Sequence, residues 1–152
     1  MRVQDVMTGG VKTVAPTTPA EDAWNMMRLN RIHHLVVTKR QRVVGLLSDR
    51  DAGGHRGASI RRNSTVADLM TAPAVTVAPA TTVRQAANVM RGRSIGCLVV
   101  LESGRAVGIV TVADLLELVG RGLDRGAATS KRWTLSHRTP HRKSRGGAAG
   151  AW

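Results

Sequence analysis

Ser48 and Asp51 stand three residues apart at the end of the stretch GLLSDRD, and Thr111 and Asp114 have the same spacing at the end of GIVTVAD. A hydroxyl followed at that spacing by a carboxylate suits two kinds of chemistry. An ionised carboxylate only accepts hydrogen bonds, so one Asp holds a cis-diol through both hydroxyls. A hydroxyl at a helix start lies beside unpaired backbone N–H groups and the positive end of the helix dipole, where phosphate is favoured. Arg50, inside the first motif, adds a cation for such a phosphate. The pattern is equally a capping box with Asp in place of Glu, which stabilises a helix start by about 1 kcal/mol with no ligand at all. The residues alone admit both readings.

The corners belong to a duplication. Residue n set above residue n+63 aligns Val3 with Val66 and Asp51 with Asp114 without a gap; VQDVMT meets VADLMT, TVAP meets TVAP and LVV meets LVV. Roughly two fifths of the aligned positions are identical. Each copy has a short amphipathic turn, Val3 to Met7 or Val66 to Met70, and then a brief extended piece that ends at the proline of TVAP. A helix follows. In the first copy Thr18, Pro19 and Glu21 predict its N-cap, N1 and N3, with the helix running to about Asn30; in the second it spans about Thr82 to Met90 and is broken by Gly92. The runs His34 to Val37 and Val43 to Leu47, joined by KRQR, read as paired buried strands, as do Cys97 to Leu101 and Ala106 to Val110, joined by ESGR. A last helix starts at each corner and is clear only as VADLLELVGRGL. After Asp51 the chain reads AGGHRGASIRRN, whose paired glycines cost about 1 kcal/mol each in a helix and which lacks an apolar face. The order is β-α-β-β-α, given twice, an α/β architecture: one repeat over residues 1–58, a second over 59–125 and a tail over 126–152.

The duplicated unit, the DVMT and DLMT openings, the TVAP stretches and the two Gly-x-x-Ser/Thr-x-x-Asp endings resemble a tandem pair of CBS domains, over about residues 2 to 122. The resemblance implies two repeats about a pseudo-twofold axis, sheets packed together with helices outside, and clefts that bind AMP, ADP, ATP or S-adenosylmethionine. It implies pairing into a homodimer, in which the helix eroded after Asp51 usually takes part. Carried over, Asp51 and Asp114 hold ribose hydroxyls, and Ser48 and Thr111 contact ribose or phosphate. Thr13, Val14, Thr76, Val77, His33, His34, Gly96 and Cys97 line the adenine. No cofactor beyond such a regulatory ligand is implied.

No catalytic set assembles. Gly92-Arg93-Ser94-Ile95-Gly96 matches the spacing of a hydrolase elbow, but lies between a helix and a strand in the reverse of the required order. Gly120 to Gly126 approaches a dinucleotide fingerprint, yet follows a helix and is one residue short. His33 and His34 are neighbours on an extended run, so one faces the cleft and the other packs away. His137 and His141 are separated by Pro140 and have no second ligand pair. Asp5 and Asp68 read as surface or turn residues, and Cys97, the single cysteine, as a buried inert thiol.

Composition narrows the partners. With no Phe or Tyr and three Trp, stacking platforms for single-stranded nucleic acid are poorly supplied. The net charge is +13, and residues 121–152 hold eight of the basic residues against Asp124 alone, leaving +6 on the first 120. That tail is expected to be disordered in isolation, either solubilising or an electrostatic arm for nucleic acid or acidic proteins, with Trp133 and Trp152 as anchors. The N-terminus lacks a secretory pattern and no apolar run reaches the ~18 residues of a membrane span, so a cytoplasmic protein with no membrane partner is expected.

Overall fold

The computed structural model describes residues 1–122. Helix α1 (Val3–Val6), strand β1 (Thr13–Val14), helix α2 (Ala20–Leu29) and strands β2 (His34–Lys39) and β3 (Arg42–Ser48) form the first half. A 3₁₀ turn (Gly54–Arg56) and the one-turn helix α3 (Ala58–Arg61) lead to the second: α4 (Val66–Leu69), β4 (Thr76–Val77), α5 (Val83–Arg93), β5 (Cys97–Glu102), β6 (Arg105–Thr111) and α6 (Val112–Gly120). The α/β architecture contains two three-stranded sheets, β1-β2-β3 and β4-β5-β6. In each, a parallel pair precedes an antiparallel hairpin. The apolar runs form the middle strands because both faces are covered: Leu35, Val36 and Val37, and Leu98, Val99 and Val100, are fully buried.

Equivalent bonds exchange the two halves. The Val3 N–H donates to the Thr81 carbonyl at 2.8 Å, and its counterpart Val66 donates to Thr18 at 2.8 Å. Arg2 bridges to Thr82 as Thr65 does to Pro19, and Thr8 bridges to Ile109 as Thr71 does to Leu46. A set of contacts that maps onto itself when the halves are swapped is what a pseudo-twofold axis produces. Each N-terminal arm therefore completes the other half's core. Val3 packs with Ala86, Met90, Leu98, Val100 and Val110, while Val66 packs with Ala23, Trp24, Met27, Leu35 and Leu47. Glycine inside β3 and β6 makes room for the arms. A Cβ on Gly108 would lie 2.5 Å from Met7 Sδ and 3.0 Å from the Thr8 carbonyl oxygen, and one on Gly45 would lie 2.7 Å from Met70 Sδ.

Local structure departs from the sequence reading at several points. Pro19, not Thr18, is the N-cap of α2, and its ring has no atom for a side-chain cap bond; the Thr18 carbonyl is engaged by Val66 and Pro19 bridges to Thr65. Glu21 turns instead to Arg61. Thr82 does cap α5, its hydroxyl accepting from the Gln85 N–H at 3.0 Å. Gly92 does not break that helix, which continues to Arg93 and stops where Ser94 takes φ +54. Asp5 and Asp68 accept from the N–H groups of Arg2 and Thr65, both at 2.8 Å, and so cap the short arms.

The segment after Asp51 forms no counterpart of α6. Arg61, 4% exposed, stands in for it. Its Nε donates to Glu21 Oε2 at 2.8 Å and its terminal nitrogen to the carbonyls of Ala52 and Gly54 at 2.8 and 2.7 Å. The expectations for residues 126–152, including His137, His141, Trp133 and Trp152, concern residues outside the described ones. Among the described residues, no helix is long and apolar enough to cross a membrane.

Candidate functional site

Both corners fold as hydroxyl–carboxylate boxes at the ends of the hairpins. Ser48 Oγ accepts from the Asp51 N–H at 2.9 Å while Asp51 Oδ2 accepts from the Ser48 N–H at 3.0 Å. At the second corner the corresponding distances are 3.2 and 2.8 Å. The residues form these boxes because Ser48 and Thr111 end β3 and β6 opposite His34 and Cys97, where the ladders stop and the chain turns. A carboxylate so held retains lone pairs for further donors.

The second corner opens on a large cavity. A cleft of about 1040 Å³ is walled on one side by Thr111, Asp114 and the first turn of α6, and on the other by His33, His34, Asp49 and Arg50 of the first half. The loop Thr8–Lys12 forms its floor, and Gly53 and Gly54 lie where a helix would otherwise stand. Loss of the helix after Asp51 therefore leaves open backbone on the Asp114 cleft. Ser48 and Asp51 are not among its walls, and the Thr71 hydroxyl lies 3.4 Å from Asp51 Oδ2.

Of the residues the resemblance assigns to the adenine, His33, His34 and Gly96 line this cleft, and Thr13, Val14, Thr76 and Val77 are not among its walls. Thr13 and Val14 are held in β1 against Val36 and Val37, and Thr76 and Val77 in β4 against Val99 and Val100; Val14 is buried in the core. The preceding loop, Gly9 to Lys12, faces the cleft instead, and the Gly9-Gly10 pair was the available signal. Cys97 is half-buried and not among the cleft walls; its neighbour Gly96 is one. Its thiol is pushed up to about 12, first by burial and then by the Asp114 charge.

His33 and His34 both line the cleft rather than dividing between cleft and core, because β2 begins at its open rim. His33 is exposed and its Nδ1 lies 2.8 Å from Asp49 Oδ2. His34 is half-buried, and burial lowers its pKa against the opposing pull of Asp49, Asp51 and Asp114. Arg31, absent from the sequence reading, also enters the cleft, from a left-handed backbone (φ +54) just past the end of α2. Among the described residues, no group of three or more His, Cys, Asp or Glu side chains is placed to hold a metal ion.

The family model for the CBS domain matches residues 3–52 and 66–121. The chain belongs to the CBS domain family. As a tandem CBS pair it is similar to the CBS domain-containing protein YhcV of Bacillus subtilis, 27% identical over 140 residues that cover 91% of this chain and 98% of that one. Among solved structures it is similar to the CBS-pair protein CBSX2 of Arabidopsis thaliana, at 25% identity and a TM-score of 0.66, covering 83% and 98% of the two chains. The fold is shared with the CBS domain pair of protein MJ0100, solved in complex with 5′-methylthioadenosine and S-adenosyl-L-methionine, at 24% identity and a TM-score of 0.70, covering 79% and 96%.

Proposed function

We propose that this CBS pair is a non-enzymatic regulatory module that takes an adenosine-containing ligand in the Asp114 cleft. One observation carries the reading: of the two duplicated corners, the Thr111–Asp114 corner forms a wall of the large cavity and faces cationic side chains of the other half. In this reading Asp114 accepts from the ribose hydroxyls, Thr111 contacts ribose or phosphate, and the Gly9–Lys12 loop with His34 and Gly96 encloses the base. The MJ0100 pair, with two adenosine compounds bound, is a precedent for the architecture. In this reading the Ser48–Asp51 box closes a turn and is not a second working site, so binding of one ligand per chain is expected.

A ligand that touches both halves acts by favouring one arrangement of them over another, and the differential affinity sets the size of the response. Self-association is part of the reading, with Leu116 and Val119 of α6, 65% and 64% exposed, as the apolar surface.

The test is calorimetric titration at ~150 mM salt, where charges are screened over about 8 Å. AMP, ADP, ATP and S-adenosylmethionine are the ligands, GTP is the comparator, and Asp114→Asn and Asp51→Asn are the variants. Adenine-selective binding of one equivalent, lost in Asp114→Asn and kept in Asp51→Asn, is expected. An equal response to GTP, or binding indifferent to Asp114, would overturn the reading.

A further inference from the structure

Beyond the rim formed by Arg31, Ile32, His33 and Asp49, the cleft adjoins a second cavity of about 270 Å³, and those four residues line both. Its remaining walls are Trp24, Met27, Arg28 and His55. The volume falls below the roughly 300 Å³ at which pockets begin to hold drug-sized molecules, so a second nucleoside is too large for it. Its charge is mostly positive. Among the described residues neither the Arg28 nor the Arg31 side chain has a hydrogen bond or ion pair, whereas Asp49, the acid on the wall, is occupied by His33. The rear wall is fixed, because the Trp24 ring has the Arg61 guanidinium 4.3 Å from its centroid and the His55 ring edge-on at 5.3 Å.

A small, rigid cavity with two uncommitted guanidinium groups, opening beside a cleft that can hold a nucleoside, has the chemistry of a phosphate-chain seat. Planar guanidinium groups bind phosphate oxygens in pairs. We propose that this cavity holds the terminal phosphates of a nucleoside polyphosphate, with Arg28 and Arg31 as the residues that count phosphates. The nucleoside part of the proposal rests on the function proposed above; the anion seat stands on the second cavity alone. The consequence is specificity: a triphosphate outranks a monophosphate, and the sulfonium cation of S-adenosylmethionine gains nothing from these arginines.

The experiment uses the full chain at ~150 mM salt, a condition that suppresses long-range attraction to its net charge. The affinities of AMP and ATP are compared in the native protein, in Arg28→Gln and Arg31→Gln, and in Arg84→Gln, which removes a charge from α5 away from both cavities. ATP is expected to bind about tenfold more tightly than AMP, a difference of about 1.4 kcal/mol. Either cavity substitution should bring that ratio close to one, Arg28→Gln with AMP affinity unchanged because Arg28 lines the second cavity and not the cleft, while Arg84→Gln should keep the native ratio. Equal affinities in the native protein, or a preference that survives Arg28→Gln and Arg31→Gln, would overturn the proposal and leave AMP binding at Asp114 untouched. A second arm titrates inorganic tripolyphosphate and follows the Trp24 indole N–H by NMR. A saturable shift lost in Arg28→Gln supports the seat even if no adenosine compound binds, and that outcome removes the adenosine reading. Absence of the shift overturns the seat.

Discussion

The Arg61 guanidinium carbon lies 4.3 Å from the centroid of the Trp24 ring. In the second half the position of Trp24 is Ala87, and nothing equivalent to Arg61 is needed because α6 is present. The first half lacks that helix, so a buried cation ties the glycine-rich segment to α2 and fixes the backbone whose Gly53 and Gly54 line the Asp114 cleft.

Arg61→Ala should therefore cost about 3 kcal/mol in urea unfolding, since it strips two backbone carbonyls and the Trp24 face of their partner. Glu21→Gln should cost under about 1 kcal/mol, because Glu21 is half-exposed and water replaces the lost contact. Similar losses in the two variants would mean that the ion pair, not the carbonyl staple, holds the segment.

The interlocked arms give a steric prediction. At Gly108 an added Cβ meets Met7 Sδ at 2.5 Å and the Thr8 carbonyl oxygen at 3.0 Å, and the backbone oxygen cannot give way as a side chain does. Gly108→Ala should destabilise by about 2 kcal/mol, as overpacking in a core does. Gly92→Ala, on open helix surface with nothing within 4 Å, should stabilise by about 1 kcal/mol through helix propensity. The pair is read from the midpoints of two urea curves.

The order of elements and the pairing of corners were legible because an ungapped repeat places equivalent residues at one spacing, and the apolar runs LVV bury on both faces wherever they occur. The part of the cleft wall formed by the Gly9–Lys12 loop was not. Thr13 and Val14 have good strand residues and do form a strand, but β1 spans only these two residues, so the chain reaches the cleft through the loop before it. The start of α2 misled for a related reason. Thr18 suits an N-cap in isolation, yet its carbonyl is engaged by Val66 of the other arm, a contact 48 positions away in the chain. Arg31 and Arg61 had no local signal at all, since an arginine just past a helix or in the last turn of a short one looks like any solvated charge until the fold closes around it.

Burial lowers the pKa of His34 below its ordinary 6.5, so the folded protein prefers the neutral ring and the unfolded chain binds the proton more readily. The sign follows: stability is full above pH 6.5 and falls as the pH drops through 6.5 toward the folded value. Urea midpoints at pH 7.5 and 5.5 should differ more in the native protein than in His34→Gln. An identical pH response would show that the ring gains as much from Asp49, Asp51 and Asp114 as burial removes.

Cys97 reports on the same cleft from behind. With its thiol pushed up to about 12 by burial and secondarily by Asp114, only about one molecule in ten thousand carries the reactive thiolate at pH 8. Alkylation of the folded protein should be slow and should accelerate on unfolding. Asp114→Asn removes the negative charge that disfavours the thiolate, so the pH at which labelling begins should move down. Asp51→Asn should leave it in place, because Asp114 is the carboxylate that raises this thiol. If both substitutions shift the labelling profile equally, the cause is a general loosening of the fold. If neither does, desolvation alone sets the thiol and Asp114 is too well screened by water to act on it.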